Sequence, residues 1–150
     1  MRRVALAFAL FATTTLAIAA APRMLPRPVP AQTTIHDYTF PSGAGLLLFY
    51  VRPDRTADFE AIARRLGEVL DRADDPVRKQ QAANWRVFQS VEVAREHAIY
   101  AFIFDPAVAG ASYDPVTVLG EALPTEVQVL FDRLKASVIR VERMGLRKLR

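Results

Sequence analysis

HAIYAFIF, residues 97 to 104, is apolar at every position after its histidine. A polar turn, Ala94-Arg95-Glu96, precedes it and Asp105-Pro106 ends it. A short run of this kind, apolar without alternation, reads as a strand covered on both faces. The two-residue period puts Tyr100, Phe102 and Phe104 on one face; His97, Ile99, Ala101 and Ile103 fall on the other. One other stretch has this character. LLLFYV, residues 46 to 51, follows Gly43-Ala44-Gly45 and stops at Arg52-Pro53-Asp54. Two strands this apolar belong in the middle of a sheet.

The segments around them are amphipathic. Phe59, Ile62, Ala63, Leu66, Val69 and Leu70 repeat at i, i+3, i+4 and predict a helix behind residues 46 to 51, with Thr56 as its N-cap. Its outer face offers Glu60 with Arg64 and Glu68 with Arg72 at ion-pair spacing. Asp74-Asp75-Pro76 breaks that helix, and VRKQQAA predicts one or two further turns. WRVFQSVEV, residues 85 to 93, alternates as a strand, with Trp85, Val87 and Gln89 on one side and Arg86, Phe88 and Ser90 on the other. After the Asp105 loop, a short helical piece is expected around Val116 to Leu119. A second main helix starts at Pro124 and carries Val127, Leu130, Phe131, Leu134 and Val138. It gives way near Ser137 to a last strand, VIRVERM.

The order is β-α-β-β-α-β, the split arrangement of ferredoxin-like folds. The expected class is α+β: an antiparallel sheet with two main helices on one face. In that topology the first and third strands are central, and these are the two doubly apolar runs. Two helices cover one face only, so something must cover the other. A second copy of the chain does this most simply, as an isologous homodimer; a partner protein or a small apolar ligand would also serve.

Residues 1 to 19 read as a signal peptide. Arg2 and Arg3 open it, Val4 to Ile18 is apolar apart from three threonines, and Ala17-Ile18-Ala19 presents small residues to a signal peptidase. Cleavage is placed after Ala19, with export to the periplasm or medium. An uncleaved anchor is the alternative, because residues 4 to 22 nearly suffice to span a bilayer; membrane contact is expected only by that route. Residues 20 to 34 are proline-rich and unpatterned, a linker, and residues 35 to 150 make a single domain. With no cysteine in the chain, lipobox attachment, disulfides and thiolate metal sites are excluded.

Removing Arg2 and Arg3 from 20 Lys+Arg leaves 18 against 16 Asp+Glu, so the formal charge of +4 says little about partners. The basic excess from Arg133 onward lacks interleaved aromatics for base stacking, and no nucleic-acid partner is expected.

The phrases DPVRKQQAANWRVFQS (75 to 90), FIFDPAVAGASYDP (102 to 115) and EALPTEVQVLF (121 to 131) resemble uncharacterised exported bacterial proteins of one small family. The element order and the doubly apolar sheet resemble the dimeric α+β barrel superfamily, which includes antibiotic-biosynthesis monooxygenase-like and stress-responsive domains. That likeness implies a fold and a dimer. It does not imply a reaction, because one fold hosts many functions.

The candidate pocket residues are Tyr50, Trp85, His97, Tyr100, Asp105 and Tyr113. Aromatic rings can line a cavity with a few polar tips, and they serve equally as core. His97 stands without a second imidazole or clustered carboxylates, so no metal site is expected. The resemblance includes haem-binding relatives, yet this lone histidine at a strand end reads as structural and no cofactor is expected. Asp105 and Asp114 each precede proline and read as turn formers whose carboxylates cap backbone N–H groups. Lys79, Gln80, Gln81 and Asn84 gather beside Trp85 as a polar rim. A phosphate loop, a nucleophile elbow and a glycosidase-like carboxylate pair are all missing from the sequence. Two functions stay open: a non-enzymatic homodimer that binds a small ligand or a protein, or a cofactor-free barrel-type oxygenase or isomerase acting on a small apolar substrate.

Overall fold

The computed structural model describes residues 38 to 149, apart from residue 42 and residues 93 to 95. The expected signal peptide and linker, and His36, lie outside the described residues. The two doubly apolar runs are neighbours: β1 (Ala44–Val51) pairs antiparallel with β3 (Ala98–Phe104), setting Leu48 opposite Ala101 and Tyr50 opposite Ile99. β2 (Trp85–Gln89) adds to the free side of β3, and β4 (Val138–Leu146) to the free side of β1. The result is an α+β fold with a four-stranded antiparallel sheet in the order β2-β3-β1-β4. The charged strands are at the edges, where a polar face costs least.

One face of the sheet is the core. Leu47, Phe49 and Val51 of β1 and Tyr100, Phe102 and Phe104 of β3 are buried there. They pack against Phe59, Ile62, Leu66 and Leu70 of α1 (Thr56–Asp71). About three turns of stripe thus meet the sheet where the period placed them. Between α1 and β2 lies α2 (Pro76–Asn84), capped by the Asp75 side chain, which accepts the Arg78 N–H at 2.9 Å. α3 (Pro115–Ala122) contributes buried Val118 and Leu119, and α4 (Val127–Ser137) runs directly into β4. Phe40 closes the end of the core, its ring lying against Phe104 and Tyr113.

Several local expectations need correction. Thr56 is already helical, because a 3-10 turn at Pro53–Arg55 feeds the chain straight into α1, and no side chain caps it. The outer-face carboxylates of α1 pair elsewhere: Glu68 with Arg65 at 3.0 Å, and Glu60 with the Tyr100 hydroxyl at 2.7 Å. β2 stops at Gln89, after which Val91 is exposed; β3 begins one residue beyond His97. Pro124 sits in a turn closed by Glu126 N–H to the Leu123 carbonyl at 3.0 Å, so α4 starts at Val127. The switch from α4 to β4 falls at Ser137, as expected. Its buried hydroxyl donates to the Arg133 carbonyl at 2.8 Å, and its own carbonyl accepts the Arg52 N–H at 2.9 Å.

The other sheet face is apolar and open. Leu46, Leu48, Ile99, Ala101 and Ile103 form its centre and stay partly exposed. Phe88 on β2 is 52% exposed and Met144 on β4 is 39% exposed, so the apolar strip reaches both edges.

Candidate functional site

The six candidate residues occupy four separate places. Tyr50 and His97 lie on the open face, with ring centroids 5.1 Å apart and edge-on. The register sets Tyr50 opposite Arg140 of β4, whose guanidinium stacks 3.8 Å over the phenol ring. Glu142 completes the cluster, accepting the Tyr50 hydroxyl at 3.2 Å and pairing with Arg140 at 3.2 Å. The basic excess of the C-terminal stretch is therefore partly spent within the fold. Arg143 likewise donates to the Thr39 carbonyl at 2.8 Å.

Tyr113 is a core residue. Its ring lies 4.1 Å from Phe104, and its hydroxyl oxygen accepts the Val108 N–H at 2.6 Å. Burial pushes its phenol above the ordinary range, the hydrogen bonds from Val108 and Gln81 and nearby Arg78 opposing only in part. The two aspartates, alike in sequence, differ in structure. Asp105 is exposed, and among the described residues its ion-pair partner is Lys148, at 4.0 Å. Asp114 is buried and caps α3, accepting from the N–H groups of Val116 and Thr117 and from the Thr117 hydroxyl at 2.7 Å. The cap expected of both belongs to Asp114.

The polar rim is likewise redrawn. Gln81 is 2% exposed, and its amide donates to the Ser112 carbonyl at 2.9 Å. Arg78 donates to that same carbonyl at 2.9 Å, to Gln81 Oε1 at 2.6 Å and in bidentate fashion to Glu121. A buried carbonyl and a buried amide each need partners, and this hub ties α2 to the loop before α3. Its role is to hold the loop.

Trp85 and Tyr100 do come together. They line a cleft of about 340 Å³ between α1 and β2, with Glu60, Ala63, Arg64 and Val87. The Tyr100 hydroxyl donates to Glu60 at 2.7 Å and accepts from the Gln89 amide at 3.2 Å. Burial, then the hydrogen bond to Glu60 and its charge, push the Tyr100 phenol far above its ordinary range. This hydroxyl is a fixed donor. Trp85 Nε1 is buried without a hydrogen-bond partner among the described residues. Glu60 is the member that sequence reading missed: its spacing to Arg64 suggested a solvent pair, and only the fold brings it to a strand 40 residues on.

Among the described residues, no group of three or more His, Cys, Asp or Glu side chains could hold a metal ion, and no helix is long and apolar enough to cross a membrane. Compared with protein-family models, curated proteins and solved structures, the chain finds no match.

Proposed function

We propose that the chain is an exported, non-enzymatic binding domain with a ferredoxin-like fold that works as a homodimer through its open sheet face, in the manner of dimeric α+β barrels. One observation supports this above the rest: Leu46, Leu48, Ile99, Ala101 and Ile103 form a continuous apolar strip, extended by exposed Phe88 and Met144. Four strands ~4.8 Å apart and about seven residues long at ~3.4 Å rise span roughly 19 by 24 Å. Roughly 450 Å² in plan, with charges only toward its edges, this face is the size of the largest patch a monomer shows, which is often a binding surface, and side-chain relief brings it toward the roughly 800 Å² per partner of a stable interface. The charges at its margins are self-complementary. Arg86 sits on the β2 edge and Glu142 on the β4 edge, which a two-fold axis parallel to the strands brings to the same side of the interface, two residues apart along the strands.

Light scattering on the purified protein tests the dimer. Wild type is expected to show twice the chain mass, and Ala101→Asp, at the centre of the strip, a monomer with unchanged far-UV circular dichroism. A wild-type monomer at high micromolar concentration would sink the proposal.

A second reading, a cofactor-free oxygenase or isomerase, draws on one observation: Tyr100 and Glu60 meet at an apolar-walled cleft. A phenol held protonated can polarise a carbonyl, leaving Glu60 as the base. It has less support, because Glu60 already accepts the phenol's hydrogen bond and His97 and Asp105 lie elsewhere.

A further inference from the structure

The two main helices meet the sheet differently. α1 buries four apolar side chains, whereas the only buried residue of α4 is Ser137, although α4 carries an apolar stripe of its own. The gap appears as a cleft of about 300 Å³ between α4, β4 and the start of α3. Phe49 lines it from β1, Phe131 and Leu134 from α4, and Val138 and Val141 from β4. An apolar cleft within the fold forfeits the contacts that filling it would supply. At ~30 Å³ for each water-sized group, it has room for about ten non-hydrogen atoms.

Its polar groups are few and of one kind. Asp114 borders the cleft, but three donors of the first turn of α3 already occupy its carboxylate. Lys135, on the α4 side, makes no ion pair among the described residues. Tyr38 adds a hydroxyl kept protonated by burial and by the charge of Asp114. The available groups are thus a cation and a hydrogen-bond donor, above apolar walls. Asp114 keeps its negative charge, so an anionic head group is favoured only on the Lys135 side of the cleft.

We propose that this cleft binds a small apolar carboxylate, its hydrocarbon part against Phe49, Phe131 and Val141 and its head group on Lys135 and Tyr38. This rests on the reading of the chain as a binding domain but not on its dimerisation. Medium-chain fatty acids and simple aryl-alkanoic acids have this shape.

Isothermal titration with octanoate, octan-1-ol and octylammonium tests it on the purified protein. Octanoate is expected to bind saturably, one per chain, and to raise the melting temperature. Octanol and octylammonium, and octanoate with Lys135→Met, are expected to bind about tenfold or more weakly, the loss of one charge-assisted contact. Ala101→Asp leaves octanoate affinity within about twofold if the strip is not the site. Absence of octanoate binding, equal binding of the alcohol, or an unaffected Lys135→Met would each overturn the proposal, as would loss of binding in Ala101→Asp alone. Light scattering on the same samples keeps the two readings apart. A dimer that ignores octanoate defeats only the cleft, and a monomer that binds it with the stated selectivity defeats only the dimer.

Discussion

Asp114→Ala is expected to cost about 2 to 3 kcal/mol, the upper range for a lost cap joined to charge-assisted hydrogen bonds. Asp114 accepts three hydrogen bonds, from Val116 N–H at 3.2 Å, Thr117 N–H at 3.1 Å and the Thr117 hydroxyl at 2.7 Å. Alanine removes both acceptor oxygens, and with them all three hydrogen bonds, and leaves two backbone donors of a partly buried helix start without partners. The helix thereby loosened carries Val118 and Leu119 into the core, so fraying there is not free. At ~4 to 8 °C per kcal/mol for a domain of about 100 residues, the melting temperature should fall by about 8 to 24 °C. Asn retains one acceptor oxygen but turns an amide toward a Thr117 donor, and is expected to cost about 1 kcal/mol.

The internal control is Asp105→Ala. Its carboxylate is 46% exposed and stands 4.0 Å from a more exposed Lys148, so its loss should register within about 0.5 kcal/mol. Thermal and urea unfolding followed by far-UV circular dichroism, on all three variants, measures the contrast. Equal costs at the two aspartates would refute the reasoning. So would an Asp114→Asn variant more stable than wild type, since that is how a carboxylate held desolvated for chemistry behaves.

Gly45→Ala should destabilise by about 1 to 3 kcal/mol through overpacking, because its Cβ would stand 2.5 to 2.7 Å from three ring carbons of Phe40. Adding Phe40→Leu to that variant should return part of the loss in urea melts, and no recovery would place the clash elsewhere. Tyr38, Tyr100 and Tyr113 all have phenols raised in the folded state, by burial first in each case. Above the unfolded value of about 10 the unfolded chain therefore holds fewer protons. Their contribution is intact below about pH 10 and is lost as pH climbs toward the folded values. Unfolding free energy measured from pH 8 to 11.5 should thus decline only above about 10, and a rise there would contradict the assigned burial.

What the sequence discloses and what it hides divide along one physical line. β1 and β3 were legible as central because their apolar character on both faces is written in consecutive residues, and the helix stripe of α1 because a period is local. The α4 stripe was equally legible as a helix. Nothing in its residues says that it stands off the sheet, since that depends on how much volume Phe49, Val138 and Val141 supply beneath it. The same limit governs polar groups. Asp105-Pro106 and Asp114-Pro115 are alike over two residues, yet α3 begins at Pro115 and gives one carboxylate three donors, while the other, among the described residues, meets a surface lysine. Gln81 sits in a polar string and is nonetheless buried, because the Ser112 carbonyl, delivered from 31 residues away, needs a donor. Glu60 reads as half of a surface ion pair until Tyr100 arrives across the sheet. In each case the side chain's role is set by a partner remote in sequence. A single chain read in order shows the face a residue belongs to, and not the group that will meet it.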